Sequence, residues 1–213
     1  MSFLGRVLDV FFPPHDDVAT AARVNEAALL GTLRLAYQRG AHTYTALPYR
    51  APDVRALIRA NKFHHDPHAA QVLGAALHEI LLQVSEEHTL DTVGEVPLLV
   101  PVPSSAARLR ARGGNQVEWI LSVLPQSAQG AWHIERNVLA RHERPSQARI
   151  QKAARMENIQ GAFFVPPQKA SAVCGKTVFL IDDVSESGAT MRDAMRALKE
   201  AGAQNIIGVA LAK

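Results

Sequence analysis

One stretch, Thr177-Val-Phe-Leu-Ile-Asp-Asp-Val-Ser-Glu-Ser-Gly-Ala-Thr190, narrows the folds open to this chain more than any other. Its apolar run at 178–181 is short, partly β-branched and aromatic, and follows Gly175-Lys176, the pattern of a strand covered on both faces as in a parallel sheet. Asp182 and Asp183 stand at its carboxyl end. From Ala189 onward, Met191, Ala194, Met195, Leu198 and Ala201 recur at helical spacing, and Gly202 supplies the stop. Residues 185–188 must therefore turn a buried strand into a helix.

The first turn of a helix leaves backbone N–H groups without intrahelical partners and carries the positive end of the dipole, so this turn attracts an anion. Gly188 lets the backbone approach a phosphate, and the hydroxyls of Ser187 and Thr190 add donors. The two aspartates, as acceptors, suit the neighbouring hydroxyls of a ribose. Together these residue types describe a site for a ribose 5-phosphate.

The rest of the chain alternates strands and helices. Residues 20–38 carry Ala22, Ala27, Leu29, Leu30, Leu33 and Leu35 in a helix-like pattern closed by Gly40, which predicts a helical N-terminal arm over residues 1–45. Helices are also predicted at 54–60, at 68–87 and after Arg112-Gly-Gly-Asn-Gln116. Strands are predicted at 96–102, 161–165 and 206–211, the last completing the sheet beside the 178–181 strand. This order argues for an open parallel α/β sheet with its ligand at the carboxyl edge.

Length and composition fit one enzyme-sized domain: 213 residues, 47% hydrophobic and 20% charged. No apolar run approaches the ~18–20 residues that span a bilayer, and no cleavage-like site follows the N-terminal Phe-Phe-Pro-Pro, so neither a membrane span nor a secretory signal is expected. Cys174 is the lone cysteine, which forbids an internal disulfide, makes cytoplasmic residence the default and reads as a buried thiol. Residues 103–156 hold nine basic side chains against three acidic ones, although the whole chain carries only +3. Such a face steers a polyanionic substrate or single-stranded nucleic acid, or is simply a solvated helix surface. Few aromatics, 6%, weaken the single-strand option. The His64-His-Asp-Pro-His68 cluster reads as a polar helix start, because the proline breaks the i, i+4 spacing of metal-binding pairs. No nucleotide-triphosphate loop, dinucleotide fingerprint, serine elbow or zinc-protease helix is present.

The 177–190 segment resembles the 5-phosphoribosyl-1-pyrophosphate (PRPP) signature of the type I phosphoribosyltransferases. Tyr49-Arg-Ala-Pro-Asp-Val-Arg-Ala-Leu-Ile-Arg-Ala-Asn-Lys-Phe63, Leu99-Val-Pro-Val-Pro103, Arg110-Ala-Arg-Gly-Gly-Asn-Gln116, Arg144-Pro-Ser-Gln147 and Arg155-Met-Glu-Asn-Ile-Gln-Gly-Ala-Phe163 follow the order of the ComF/GntX branch of that superfamily. The resemblance implies a type I phosphoribosyltransferase fold over 46–213, with the arm standing where ComF proteins carry a zinc finger. With no cysteine before Cys174, a thiolate zinc site is excluded.

The resemblance further implies transfer of 5-phosphoribosyl from substrate-bound Mg²⁺-PRPP to a nitrogenous base or amine, in a setting of DNA uptake and competence. Asp182 and Asp183 would hold the ribose hydroxyls, and Ser185, Glu186, Ser187, Gly188, Ala189 and Thr190 the phosphate loop. Ser104 and Ser105 would meet the pyrophosphate. Residues 139–158 would form a closing loop with Arg141, Arg144 and Gln147 over the reaction centre. Lys62-Phe63 is expected to be structural. Two departures stand out: Gly114, where relatives have an aromatic residue, predicts a mobile turn, and Glu186 replaces the usual Thr or Ser. Glu186 is either a proton-transfer group facing the acceptor, alongside Asp183 and Arg141 in the chemistry, or a solvated loop acid. The other reading is a non-catalytic PRPP sensor that binds single-stranded nucleic acid or a partner protein. A homodimer is left open, and no protein-held metal is expected.

Overall fold

The structure, a computed structural model, describes residues 14–88, 96–128, 130–142 and 161–213. Its strands are β1 (Ala36–Gln38), β2 (Thr43–Leu47), β3 (Leu98–Pro101), β4 (His133–Ile134), β5 (Ala140–Arg141), β6 (Phe163–Phe164), β7 (Thr177–Val184) and β8 (Asn205–Ala212). The helices are α1 (Pro14–Ala21), α2 (Glu26–Gly31), α3 (Pro52–Arg59), α4 (Pro67–Glu87), α5 (Ala106–Arg112), α6 (Gln116–Ser122) and α7 (Ala189–Glu200). Six strands form one sheet in the order β1-β2-β8-β7-β3-β4. β1 joins β2 antiparallel, and the remaining pairs of that sheet are parallel. β5 and β6 make a separate antiparallel pair.

β7 shows why the sheet is buried on both sides. Val178 and Leu180 pack with Leu98, Val100 and the Met191, Ala194 and Leu198 face of α7. Phe179 and Ile181 point the other way, into a core with Leu77, Ile80 and Leu81 of α4 and Val117 and Ile120 of α6. Each such side chain contributes about 1.5–3 kcal/mol when fully buried. A one-residue slip would reverse every one of them, so register is firmly set. Asp182 and Asp183 inherit this alternation and leave the strand on opposite faces.

The connections after β3 and β7 place the cleft. The chain leaving β3 passes through α5 to α6, which packs on the Phe179 face, whereas β7 leads into α7 on the Val178 face. Neighbouring parallel strands whose connections depart to opposite faces leave a crevice at their carboxyl ends. Val102 N–H still donates to the Ile181 carbonyl at 2.9 Å, so the two strands stay together to the lip of that crevice. Lys213 closes the other side: its N–H donates to Leu47, and its carbonyl accepts from Tyr49 N–H at 2.8 Å.

Several expectations need correction. The helix expected over 20–38 is α2 bounded by Asn25, an N-cap whose side chain accepts from Ala28 N–H at 3.1 Å, followed by β1. Leu33 and Leu35 alternate as strand residues do, and Arg34 N–H already donates to Ala46 of β2. The arm boundary expected at residue 45 falls inside β2, which is hydrogen-bonded to β8. Residues 106–112, for which no helix is expected, form α5. Cys174 is exposed, because the turn carrying it lies outside the sheet and sets its sulfur over Gly202. Gly114 lies against the Trp119 indole: a Cβ there would sit 2.6 Å from Cζ2, so close approach is what requires glycine. The histidine cluster does start a helix, with Asp66 capping α4 through Ala69 N–H at 2.7 Å. Among the described residues no helix is long and apolar enough to cross a membrane.

Candidate functional site

A cleft of about 400 Å³ opens at the carboxyl ends of β3 and β7. Its floor is the end of β7 and the loop that follows, residues 182–191. One wall carries Val102, Pro103 and Ser104 after β3, and another carries Lys62, Arg108, Arg112, Gln116 and Arg141. Asp182, Asp183, Ser185, Glu186, Ser187, Gly188, Ala189 and Thr190 are all brought together here, as the sequence leads one to expect.

The turn is built by Gly188. It is the N-cap of α7 with φ of 69°, a left-handed conformation that costs residues with a Cβ about 1–2 kcal/mol. A Cβ there would also lie 2.1 Å from Cβ of Ala41, so the tip of the β1–β2 hairpin braces the loop from behind. Gly188 gives α7 no side-chain cap, and no acidic residue occupies the first turn of that helix. The amides at this end are thus presented to an incoming anion with the helix dipole behind them. Ser185 sharpens the point. It is buried and lines the cleft, yet among the described residues its hydroxyl has no hydrogen-bond partner, a cost that a phosphate oxygen would remove. Ser187 differs: its hydroxyl accepts from Ala189 N–H at 3.4 Å.

Asp183 is buried and accepts from Lys62 Nζ at 2.9 Å, while its other oxygen accepts from Val184 N–H. Asp182 accepts from Asp183 N–H at 2.9 Å. Burial, and then the neighbouring Asp183 carboxylate, push the Asp182 carboxyl well above the usual carboxylate range, against the opposing pull of the Asp183 amide and Lys62. The acid pair is therefore short of positive charge and hydrogen-bond donors. Hydroxyl groups of a ligand would supply the donors. A divalent cation would supply the charge, and the two carboxylates suit such an oxygen-liganded ion. Among the described residues no group of three or more His, Cys, Asp or Glu side chains forms a metal cage of its own.

The remaining expected residues divide. Ser104 lines the cleft, whereas the Ser105 hydroxyl is the N-cap of α5, accepting from Arg108 N–H at 3.4 Å, and is not part of the lining. Arg141 lines the cleft with its guanidinium 5.2 Å from the centre of the Phe163 ring. Arg144 and Gln147 lie outside the described residues. Glu186 lines the cleft and is exposed.

Lys62 is the contributor that sequence reasoning missed. It sits in a π-helical turn, Ala60–His64, that continues α3. Such turns are often found at functional sites. Its signal in the sequence was the Lys-Phe pair itself, read there as structural. Asp193 has a supporting role. It accepts from Gly161 N–H at 2.7 Å, Phe163 N–H at 2.9 Å and Arg196 at 2.9 Å, tying β6 to α7 beside the cleft. Burial alone would raise its carboxyl, but the bonds from Arg196 and the two amides outweigh it and hold the group below its ordinary range.

No curated protein matches the chain. A solved structure described as "Structure of the allosteric regulatory enzyme of purine biosynthesis" is similar at 18% identity and a TM-score of 0.34, over 72% of this chain and 30% of that one. The chain thus spans less than a third of that structure's length. The parallel sheet, the acid pair and the open-amide turn all fall within residues 18–213, which match the family described as "Phosphoribosyl transferase domain", and the chain belongs to that family, with the mostly parallel, helix-flanked sheet of its type I fold.

Proposed function

We propose that this protein is a ComF-type phosphoribosyltransferase that moves the 5-phosphoribosyl group of PRPP onto a nitrogenous base or amine. The observation that carries the reading is the cleft floor: the buried Ser185 hydroxyl, unpartnered among the described residues, and the start of α7, uncapped by Gly188, lie next to a donor-poor acid pair, the two complements of a phosphorylated sugar. Amides at the start of α7 and the Ser185 and Thr190 hydroxyls hold the 5-phosphate. Asp182 and Asp183 accept from the ribose hydroxyls and fix the ring, so that the anomeric carbon faces the cleft wall. Ser104 and Arg141 face the diphosphate, with Arg144 and Gln147 as proposed contributors.

In the reaction the bond from the anomeric carbon to the diphosphate oxygen breaks and a bond to the acceptor nitrogen forms. The electron pair leaves with pyrophosphate, and the acceptor's proton passes to Glu186, the exposed carboxylate on the lining. Substrate-bound magnesium would offset charge on the departing diphosphate. The adjacent carboxylate of Asp183 stabilises positive charge developing on the ribose ring. A role in DNA uptake and competence belongs to the same reading through the ComF resemblance.

The test is calorimetry with PRPP and Mg²⁺, followed by pyrophosphate release across a panel of bases and amines. Binding with turnover on at least one acceptor supports the reading. Binding without turnover favours a PRPP sensor that acts through nucleic acid or a partner protein, and absence of PRPP binding refutes both. Glu186→Thr probes the proton step: turnover falls if Glu186 takes the proton, whereas tighter PRPP binding with full activity shows that it only repelled phosphate.

A further inference from the structure

We propose that the π-helical turn Ala60–His64 builds the pole that receives the diphosphate end of the substrate, with Lys62 and Arg112 touching it and Phe63 as a positioning residue. This rests on the phosphoribosyl reading and adds residues that the signature stretch does not contain.

The turn is strapped to the segment after β3 along its whole length. Asn61 Nδ2 donates to the Gln116 carbonyl at 3.2 Å. Phe63 lies 5.4 Å from the Arg112 guanidinium and 5.7 Å from that of Arg59. Arg59 is itself anchored on Asp17 at 2.6 Å, so the ring meets one fixed cation as well as Arg112. The Arg112 carbonyl is hydrogen-bonded to His65 Nε2, and the His65 ring sits 3.7 Å from Trp119. Arg112 also donates to Gln116 Oε1 at 3.2 Å.

Such strapping explains why Phe63 stays 40% exposed: its faces serve cations rather than the core. It also explains how Lys62 departs from its neighbours and enters the cleft, where it and Arg112 both line the wall. Arg112 is half-buried and feels the like charge of Arg108, a burden that a multivalent anion relieves. A lysine and a pre-aimed arginine make a charge-assisted site of the kind that binds phosphate oxygens. The 5-phosphate is held by different elements, the turn before α7.

The experiment compares inorganic pyrophosphate with ribose 5-phosphate, each titrated with Mg²⁺ present, in the intact protein and in Lys62→Met, Phe63→Leu and Phe63→Trp. We expect Lys62→Met to weaken pyrophosphate at least about tenfold and Phe63→Leu to weaken it about threefold, with Phe63→Trp restoring it. Ribose 5-phosphate should change less than about threefold in the Phe63 variants, whereas Lys62→Met, which also strips buried Asp183 of its partner, is judged by pyrophosphate losing more affinity than ribose 5-phosphate. Equal loss of both ligands, or of neither, overturns the proposal. If Lys62→Met fails to fold, the two Phe63 variants decide, since neither removes the partner of Asp183. Wild-type protein that binds pyrophosphate but neither ribose 5-phosphate nor PRPP sinks the phosphoribosyl reading while leaving the anion pole. Wild-type protein that binds both ligands, with indifferent variants, sinks only the pole.

Discussion

Gly188→Ala tests the geometry of the turn most directly, because two separable costs converge on one methyl group. The first is backbone: at φ of 69° an added Cβ costs about 1–2 kcal/mol. The second is contact: the new Cβ would stand 2.1 Å from Cβ and 2.9 Å from Cα of Ala41, against an ordinary separation of about 3.5–4 Å. Overpacking of that order costs about 1–3 kcal/mol. The two together predict a loss of about 2–5 kcal/mol, a large share of the ~5–15 kcal/mol typical of a domain. Urea unfolding of Gly188→Ala, Ala41→Gly and the double variant separates the parts. Ala41→Gly should recover part of the contact cost in the Gly188→Ala background, a coupling of about 1–2 kcal/mol, and leave the backbone cost and the approach to the Cα of residue 41. Ribose 5-phosphate binding should be lost in Gly188→Ala, because a turn pushed off Ala41 re-aims the amides of α7. A single variant within ~0.5 kcal/mol of wild type, with ligand affinity intact, would refute the claim that hairpin and turn form one braced cradle.

Other consequences follow from the same structure. Asp193→Asn should cost about 1–3 kcal/mol at pH 7, since it removes charge from a buried acceptor of several bonds. Its folded carboxyl is held below the ordinary value, so its stabilisation is present above the usual carboxylate range and lost as pH falls through the folded pKa. Thermal melts of wild type and variant should therefore converge in acid. Asp182 runs the opposite way. Its folded pKa is raised, so the native state holds the extra proton, and stability falls as pH climbs from the ordinary carboxylate range to the raised value. Asp182→Asn should thus gain about 0.5–2 kcal/mol at pH 8 and little at pH 4, while weakening PRPP, as measured by melting and calorimetry. Gly114→Ala should shift tryptophan emission and cost about 1–3 kcal/mol, because the Trp119 indole must move away from a Cβ otherwise 2.6 Å distant.

The parts of the fold legible in the sequence are those whose signal is local. β7, β8 and α7 announce themselves by unbroken apolar runs and by 3.6-residue spacing, and α4 does the same over Pro67–Glu87. Where the signal is short it misleads: Leu33 and Leu35 fit a helical list as readily as an extended segment, and only the Arg34 bond to Ala46 and the pairing of Ala36–Gln38 with β2 show that the helix has ended. The candidate site divides in the same way. The acid pair and the 185–190 turn are contiguous and readable as a site. Lys62 is not, because its partner Asp183 lies 121 positions away. Ser105 looked as suited to an anion as Ser104, yet its hydroxyl belongs to a helix too short to be foreseen.

By itself the sequence determined that two acids, hydroxyl side chains and a glycine gather where a buried strand becomes a helix, because periodicity and turn chemistry act between near neighbours. Only the tertiary structure decided what those residues face. The opposite departures of the chain after β3 and β7 opened the cleft, Ala41 made glycine obligatory at 188, and the π-helical turn delivered Lys62 to Asp183. Each of these depends on contacts between segments far apart in the chain, set by packing on the two faces of one sheet, and no local pattern encodes them.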